Sequence, residues 1–413
     1  MAERSANWTT LRALAERYGE IARLDVQRKR LERFRDINAL KPVRPVLLIS
    51  EVPWGEIRDE ALVLTCGPEV AGIERRLRQT LYQWEHFQGD MVVPPVFDVS
   101  KRWHSTGIGL RVTETVIRGD TGAAIASHAY RDQLQNDEDL ARLQTPRITC
   151  DPEATERPLA LAAEVFDGIL PVEPRGTALY YNLWDDIARY RGVEPLLTDL
   201  VERPDFMHRT VRRFADIAAA QFRQLEALDL LDPDPLYLHC TAGSTRELPA
   251  ADFAGKVRRK DVWGRCAAQI FGSVSPAMHD AFDLAYNADL FGGCGLVYYG
   301  CCEPMDRKID LLRQRFANLR KVSITPWADP ERAAEALGRD LVMAAKPNPA
   351  FVASAGFDPA PVREEMTRYL EACRRHGTPC EFVLKDISTI ANRPENLTRW
   401  AETASAVIDR YWG

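Results

Sequence analysis

The sequence predicts an α/β protein built on a (β/α)8 TIM barrel with an N-terminal helical extension. Three observations carry that expectation. Short apolar or β-branched runs recur roughly every 30 to 40 residues, with helical stretches between them, as parallel strands with crossover helices require. There are about eight such runs, which favours a barrel over an open doubly wound sheet. The runs also stop in polar or reactive side chains, the richest being Cys301-Cys302-Glu303 after the strand-like run 296–299.

Composition sets the class. The chain has 413 residues, 46% hydrophobic and 28% charged. This is the balance of a soluble globular protein, longer than a usual single core. The extension is expected over 1–44 and the barrel over 45–413. A formal net charge of -6 gives no electrostatic footprint for nucleic acid. No apolar run approaches the ~18 residues of a membrane span. MAERSANWTT has no apolar h-region, so a cytoplasmic protein is expected. There the nine cysteines are candidates for metal or catalytic work rather than a disulfide framework.

The elements follow in order. A helix is predicted over 8–36, with Thr9 or Thr10 as its cap, and Pro42 and Pro45 break the chain after it. The run 46–50 is a buried strand that exits at Glu51 and Trp54. A helix over 70–88 precedes an extended stretch, 91–99, with Asp98 at its end. Weakly periodic, turn-rich sequence runs on to Asp151 and is expected to be an excursion; His104 and His128 lie in it. Beyond it, helices are expected over 160–166, 178–190, 195–203, 204–230, 275–286, 304–315, 330–337, 360–376 and 394–411. Strands are expected over 168–172, 236–240, 296–299, 320–325, 340–345 and 380–384. No G-x-G-x-x-G follows a strand and no Walker motif is present, which leaves dinucleotide and P-loop sites unsupported.

In a barrel the strand exits share one face. Glu51, Asp98, His239, Cys240, Cys301, Cys302, Glu303, Lys346, Asn348, Lys385 and Asp386 would then converge. Zinc suits thiolate and imidazole, and His239, Cys301 and Cys302 form the expected ligand set. Adjacent residues of a strand face opposite ways, so His239 and Cys240 point together only where the strand has broken. The carboxylates and lysines suit proton transfer and charged substrates: Asp98 and Glu303 as catalytic groups, Glu51 and Asp386 for positioning, Lys346 and Lys385 for anionic groups. Trp54 and Trp327 offer faces for a planar ligand.

From about Gly176 onward these motifs resemble the uroporphyrinogen decarboxylase superfamily, which includes the corrinoid-dependent methyltransferases. The segment GTALYYNLWDDIARYRGVEPLL, which carries Tyr181, resembles the family's Tyr-bearing helix after a Gly-rich strand exit. LYLHCTAG stands where the family has a strand and a small-residue loop, and LVMAAKPNPAFV is similar to a strand ending in Gly-Asn-x-x-Pro. LVYYGCCEPMD stands where the methyltransferases carry a His-x-Cys zinc pair. VPPVFDVSKRWHSTGIG resembles the segment holding the decarboxylases' catalytic Asp, here Asp98. The resemblance implies a (β/α)8 barrel, a zinc cofactor, a corrinoid carried by a partner protein, and pairing into a homodimer. Three departures matter. The decarboxylases' Arg-rich loop is replaced by Ile49 to Trp54, with no Arg before Arg58, so a tetrapyrrole octa-acid is not expected. The methyltransferases' His-x-Cys pair is replaced by Gly300-Cys301-Cys302, without the His. Their Cys near the last strand is replaced by Lys385-Asp386-Ile387-Ser388.

The expected function is methyl transfer to or from a corrinoid, with zinc assistance, on a small-molecule substrate. One alternative is a metal-free decarboxylase or lyase working through Asp98. The other is a barrel that only binds a ligand or a corrinoid protein.

Overall fold

The computed structural model describes residues 2–117 and 127–412. Part of the excursion, 118–126, lies outside the described residues. Seven parallel strands form one sheet: β1 (Val46–Ile49), β2 (Leu179–Tyr180), β3 (Trp263–Cys266), β4 (Leu296–Tyr299), β5 (Leu319–Ile324), β6 (Val342–Ala345) and β7 (Cys380–Leu384). Their order across the sheet is β1-β7-β6-β5-β4-β3-β2. Each crossover adds the next strand beside the last, and the final strand returns to the first. A doubly wound sheet reverses its order at a switch point, and this one does not.

Alternation along each strand sorts the side chains. Leu47, Ile49, Val297, Tyr299, Met343, Ala345, Phe382 and Leu384 face outward and join the main core under the helices. Val46, Leu48, Val342 and Val383 face inward, as do Trp263, Leu296, Tyr298 and Ala344. Gly264 has a packing reason: a Cβ there would meet the Phe291 ring at 2.6 Å and Cys294 Sγ at 2.9 Å. Both lie on or just after the helix Ala285–Phe291, which therefore packs close to β3.

The inner face is covered by a short antiparallel hairpin, Tyr237–Leu238 with Thr241–Ala242. A buried ion pair fixes it. Lys321 Nζ on β5 lies 3.2 Å from Glu381 on β7 and donates to Thr241 Oγ1 at 2.8 Å and to the Ala242 carbonyl at 2.9 Å. Glu381 in turn accepts from the Thr241 hydroxyl and the Ala242 N–H. Trp263 Nε1 donates to the Gly243 carbonyl at 2.8 Å and holds the far side.

Several elements differ from the expectation, each for a physical reason. The N-terminal helix is two, Ala2–Ala22 and Asp25–Asn38, broken at Leu24, which has extended backbone. Thr9 and Thr10 therefore lie inside a helix instead of capping one. The stretch 236–240 is the hairpin, not a barrel strand. The stretches around 97 and 172 pair with each other as Phe97–Ser100 and Val172–Arg175, outside the main sheet. Asp98 thus lies within a strand. Leu179–Tyr180 is β2, where a helix was expected, and the helix that follows is Leu183–Arg191. β3 was not expected, because Gly264 and Arg265 interrupt its apolar pattern. The helix expected over 275–286 runs to Phe291 through a π-turn at Asp280–Leu284. Among the described residues, no hydrogen-bonded ladder joins β1 to β2, so the sheet has seven strands rather than a closed ring of eight.

The two N-terminal helices pack into the fold. Leu11, Leu14, Ala15 and Tyr18 share a core with Leu77, Leu81, Phe97 and Phe166. Phe34 and Ile37 close the sheet's amino end against Val46, Val342 and Val383. No described helix is long and apolar enough to cross a membrane.

Candidate active site

The site grows out of the carboxyl ends of β1, β4, β6 and β7. In each strand the inward alternation continues one step past the ladder. On β6 the inward residues Val342 and Ala344 are followed by Lys346. On β7 Glu381 and Val383 are followed by Lys385. β4 ends at Gly300, whose φ is +96°, and the chain turns there into Cys301 and Cys302.

Lys385 organises the centre. Its ammonium lies 3.1 Å from Cys301 Sγ, 3.2 Å from Cys302 Sγ and 2.6 Å from Asp386 Oδ2. The two sulfurs are 3.6 Å apart, and Cys302 Sγ also lies 3.1 Å from Asp386 Oδ2, so its one proton can go to either. The pair divides its charge. The Cys302 thiol hydrogen bond, with His239, Arg265 and Lys385 nearby, holds the Cys301 thiol far below its usual range. The Cys301 sulfur and burial push Cys302 the other way. Cys301 is therefore the thiolate and Cys302 the proton donor to it. Burial opposes the charge on Lys385, but Cys301 and Asp386 outweigh it and keep the ammonium protonated.

A second cluster adjoins the first. His239 and Cys240 form the two-residue turn of the hairpin, where the chain has left the extended strand conformation. Both side chains can therefore serve one site. Ligand atoms of Glu51, His239 and Cys240 lie within 4.8 Å of one another. Of the expected set, His239 also reaches Cys301, while Lys385 holds both the Cys301 and Cys302 sulfurs. His239 Nε2 is 3.7 Å from Glu51 Oε1, and its ring stacks on Tyr180 at 5.6 Å. His239 thus links the exits of β1 and β2, the two edge strands. Hydrogen bonds to the Cys240 and Cys301 sulfurs push its imidazole up to about 9, against burial. Glu51 Oε2 accepts the Asp386 N–H at 2.9 Å, which ties the clusters together.

The backbone is strained at the same place. Glu51, Cys240 and Asp386 all have positive φ, at 54°, 56° and 54°. Non-glycine residues seldom adopt this conformation, which costs about 1–3 kcal/mol each. Three of the seven such non-glycine residues among those described gather at this rim.

Other expected residues lie elsewhere or do other work. Glu303 is fully buried and accepts the N–H groups of Ala268 at 3.1 Å and Cys301 at 3.0 Å. It positions the Cys301 loop. Asp98 is paired with Arg76 at 2.6 Å and lines a separate cavity of about 540 Å3 with Arg175 and Asp232. Trp54 packs on the Tyr82 and Phe87 rings, away from the thiols. Tyr181 hydrogen-bonds Asp186 at 2.7 Å, and its neighbour Tyr180 faces the site instead. Lys346, Asn348, Trp327, Asp386 and both cysteines line one cavity of about 400 Å3. Asn348 Oδ1 accepts the Ala350 N–H at 3.0 Å and caps the turn that forms one wall.

Arg265 was missed together with β3. It is buried, lies over the Tyr180 ring at 4.3 Å, and donates to the Gly300 carbonyl at 3.4 Å. A basic residue two positions after Trp263 in an apolar run was the available signal.

One solved structure that resembles this chain is a methyltransferase from Methanosarcina mazei. The TM-score is 0.49 at 13% identity, over 92% of this chain and 98% of that one. No protein-family profile and no curated protein matches the chain. The chemistry is therefore read from the side chains.

Proposed function

We propose that the chain is a methyltransferase of the uroporphyrinogen decarboxylase superfamily that moves a methyl group to or from a corrinoid carried by a partner protein. In this reading residues 1–44 are a helical extension and 45–413 the barrel unit, with Phe97–Ser100, Val172–Arg175 and the hairpin occupying the gap between β1 and β2. The observation that carries it is the Lys385 ammonium set between two adjacent thiols at the carboxyl edge of a parallel sheet. Thiolate and metal–thiolate centres are suited to one-carbon transfer because sulfur is nucleophilic and a good leaving group.

Zinc fits the donor set. Glu51, after β1, and His239 and Cys240, on the hairpin turn, supply oxygen, nitrogen and sulfur, and three protein ligands with one open position is the pattern of a catalytic site. Zinc held there supplies Lewis acidity toward the heteroatom that carries the methyl group. The chain's own groups do the rest. The Cys302 thiol, with His239, Arg265 and Lys385, keeps the Cys301 sulfur anionic, Asp386 pairs with the Lys385 ammonium, and Glu303 fixes the loop that presents both sulfurs.

Metal analysis of protein purified under reducing conditions tests the zinc. About one equivalent is expected, lost in His239→Gln and Cys240→Ser. Methyl-transfer activity in metal-free protein would sink the zinc version. Methylcobalamin formation from cob(I)alamin and methylated donors tests the reaction, and its absence across a broad donor panel would sink the transferase.

Asp98 keeps a second reading open, since its cavity holds two arginines. A decarboxylase or lyase working there loses all turnover in Asp98→Asn and none on treatment with a chelator.

A further inference from the structure

The 400 Å3 cavity beside the thiols is lined by the apolar Pro326, Trp327, Pro347 and Pro349 and by the polar Lys346, Thr325, Lys385 and Asp386. Trp327 stands 73% exposed.

Lys346 differs from the other lysines of the inner face. Lys321 is paired with Glu381 and Lys385 with Asp386. Lys346 is 2% exposed, yet no carboxylate among the described residues lies within ion-pair range of it. Its ammonium donates to the Cys240 carbonyl at 2.6 Å and lies over the Tyr298 ring at 5.7 Å. An ammonium carries three donors, so capacity remains. Thr325 lines the same cavity, and its buried Oγ1 has no hydrogen-bond partner. A cation taken out of water without a counter-charge is costly, and a ligand anion offsets that cost.

We propose that this cavity binds a small monocarboxylate with a flat apolar body. The carboxylate meets Lys346 and the Thr325 hydroxyl, and the body lies between Trp327 and the proline walls. A second carboxylate would approach Asp386, so one anionic group is favoured over several. That the bound molecule gives or takes a methyl group rests on the function proposed above; its binding does not.

Benzoate and its uncharged match, methyl benzoate, titrated into the full chain by calorimetry, test the proposal. Benzoate should bind at one site, with the ester roughly ten- to a hundredfold weaker, the range of a charge-assisted hydrogen bond. Lys346→Met should abolish the preference while leaving the melting temperature of the free protein unchanged or raised, because it removes an unpaired buried charge. Thr325→Val should weaken benzoate severalfold and serves if Lys346→Met does not fold. Equal affinity for acid and ester, or wild-type benzoate affinity in Lys346→Met or in Thr325→Val, overturns the proposal. Benzoate binding through Lys346 in a protein that transfers no methyl group overturns only the function proposed above.

Discussion

At the residue scale, the chemistry concentrates in Lys385. Cys301-Cys302 was legible as a reactive pair, and Lys385-Asp386 as a charged one, each from its place after a strand. Their meeting was not legible, because 84 residues separate Cys302 from Asp386 and only the sheet order brings β4 and β7 exits together. The arrangement makes a prediction about reactivity. A thiol whose pKa is held down stays ionised as pH falls, so Cys301 should still be alkylated by iodoacetamide at about pH 6, where an ordinary cysteine is almost wholly protonated. Lys385→Met removes the ammonium from both sulfurs and should cut that rate about tenfold or more, read by peptide mass spectrometry over time. An unchanged rate would assign the ionisation to Cys302, His239 and Arg265 alone. Glu303 teaches a related point. Its position beside two cysteines suggested chemistry, but a carboxylate that accepts two backbone N–H groups from within the core is holding a loop.

Elements were legible where periodicity was undisturbed. β4, β5, β6 and β7 and the helices between them follow from apolar runs with clear turn residues. β2 and β3 were not legible: β2 is two residues long, and β3 carries an arginine on its inner face. The hairpin misled for the opposite reason, since LYLHC has the composition of a barrel strand and only tertiary pairing shows that it folds back after Leu238. The turn after β4 allows a sharper test. Gly300 has positive φ, and a Cβ there would stand 3.2 Å from Ser323 Cβ on β5. Gly300→Ala should cost about 1–3 kcal/mol in chemical denaturation, through strain and crowding together. It should also move the Cys301 loop and lower activity more than stability alone explains. A variant as stable as the wild type would mean that the turn relaxes.

At the scale of the whole molecule, the parallel sheet was legible and the closure was not. Regular strand–helix alternation implies a parallel sheet, and single winding was inferred from a count of about eight runs, three of which, at 91–99, 168–172 and 236–240, lie outside the sheet. The alternation says nothing about which segments fill the gap between the first and last edges, or about the insertions that supply them. Stability across pH is also a property of the whole. Glu74 is buried on helix Ala71–His86 and accepts hydrogen bonds from the backbone of Thr65 and Cys66 and from Arg78. Burial alone would raise its pKa, but these donors hold it at about 2, against an ordinary 4.5. The folded state therefore gains stability that is complete above pH 4.5 and disappears as the pH falls toward 2. Glu74→Gln should lose about 2–3 kcal/mol at neutral pH, with the deficit shrinking to nothing near pH 2. A deficit that does not change with pH would refute the ionic account.

The hairpin has a consequence for altering the site. Because His239 and Cys240 sit on its turn, they belong to a segment outside the ladders of the main sheet, anchored to β5 and β7 through Lys321 and Glu381. Lengthening or shortening that turn by a residue would move two candidate ligand atoms at once while leaving the strand pairings of the sheet in place.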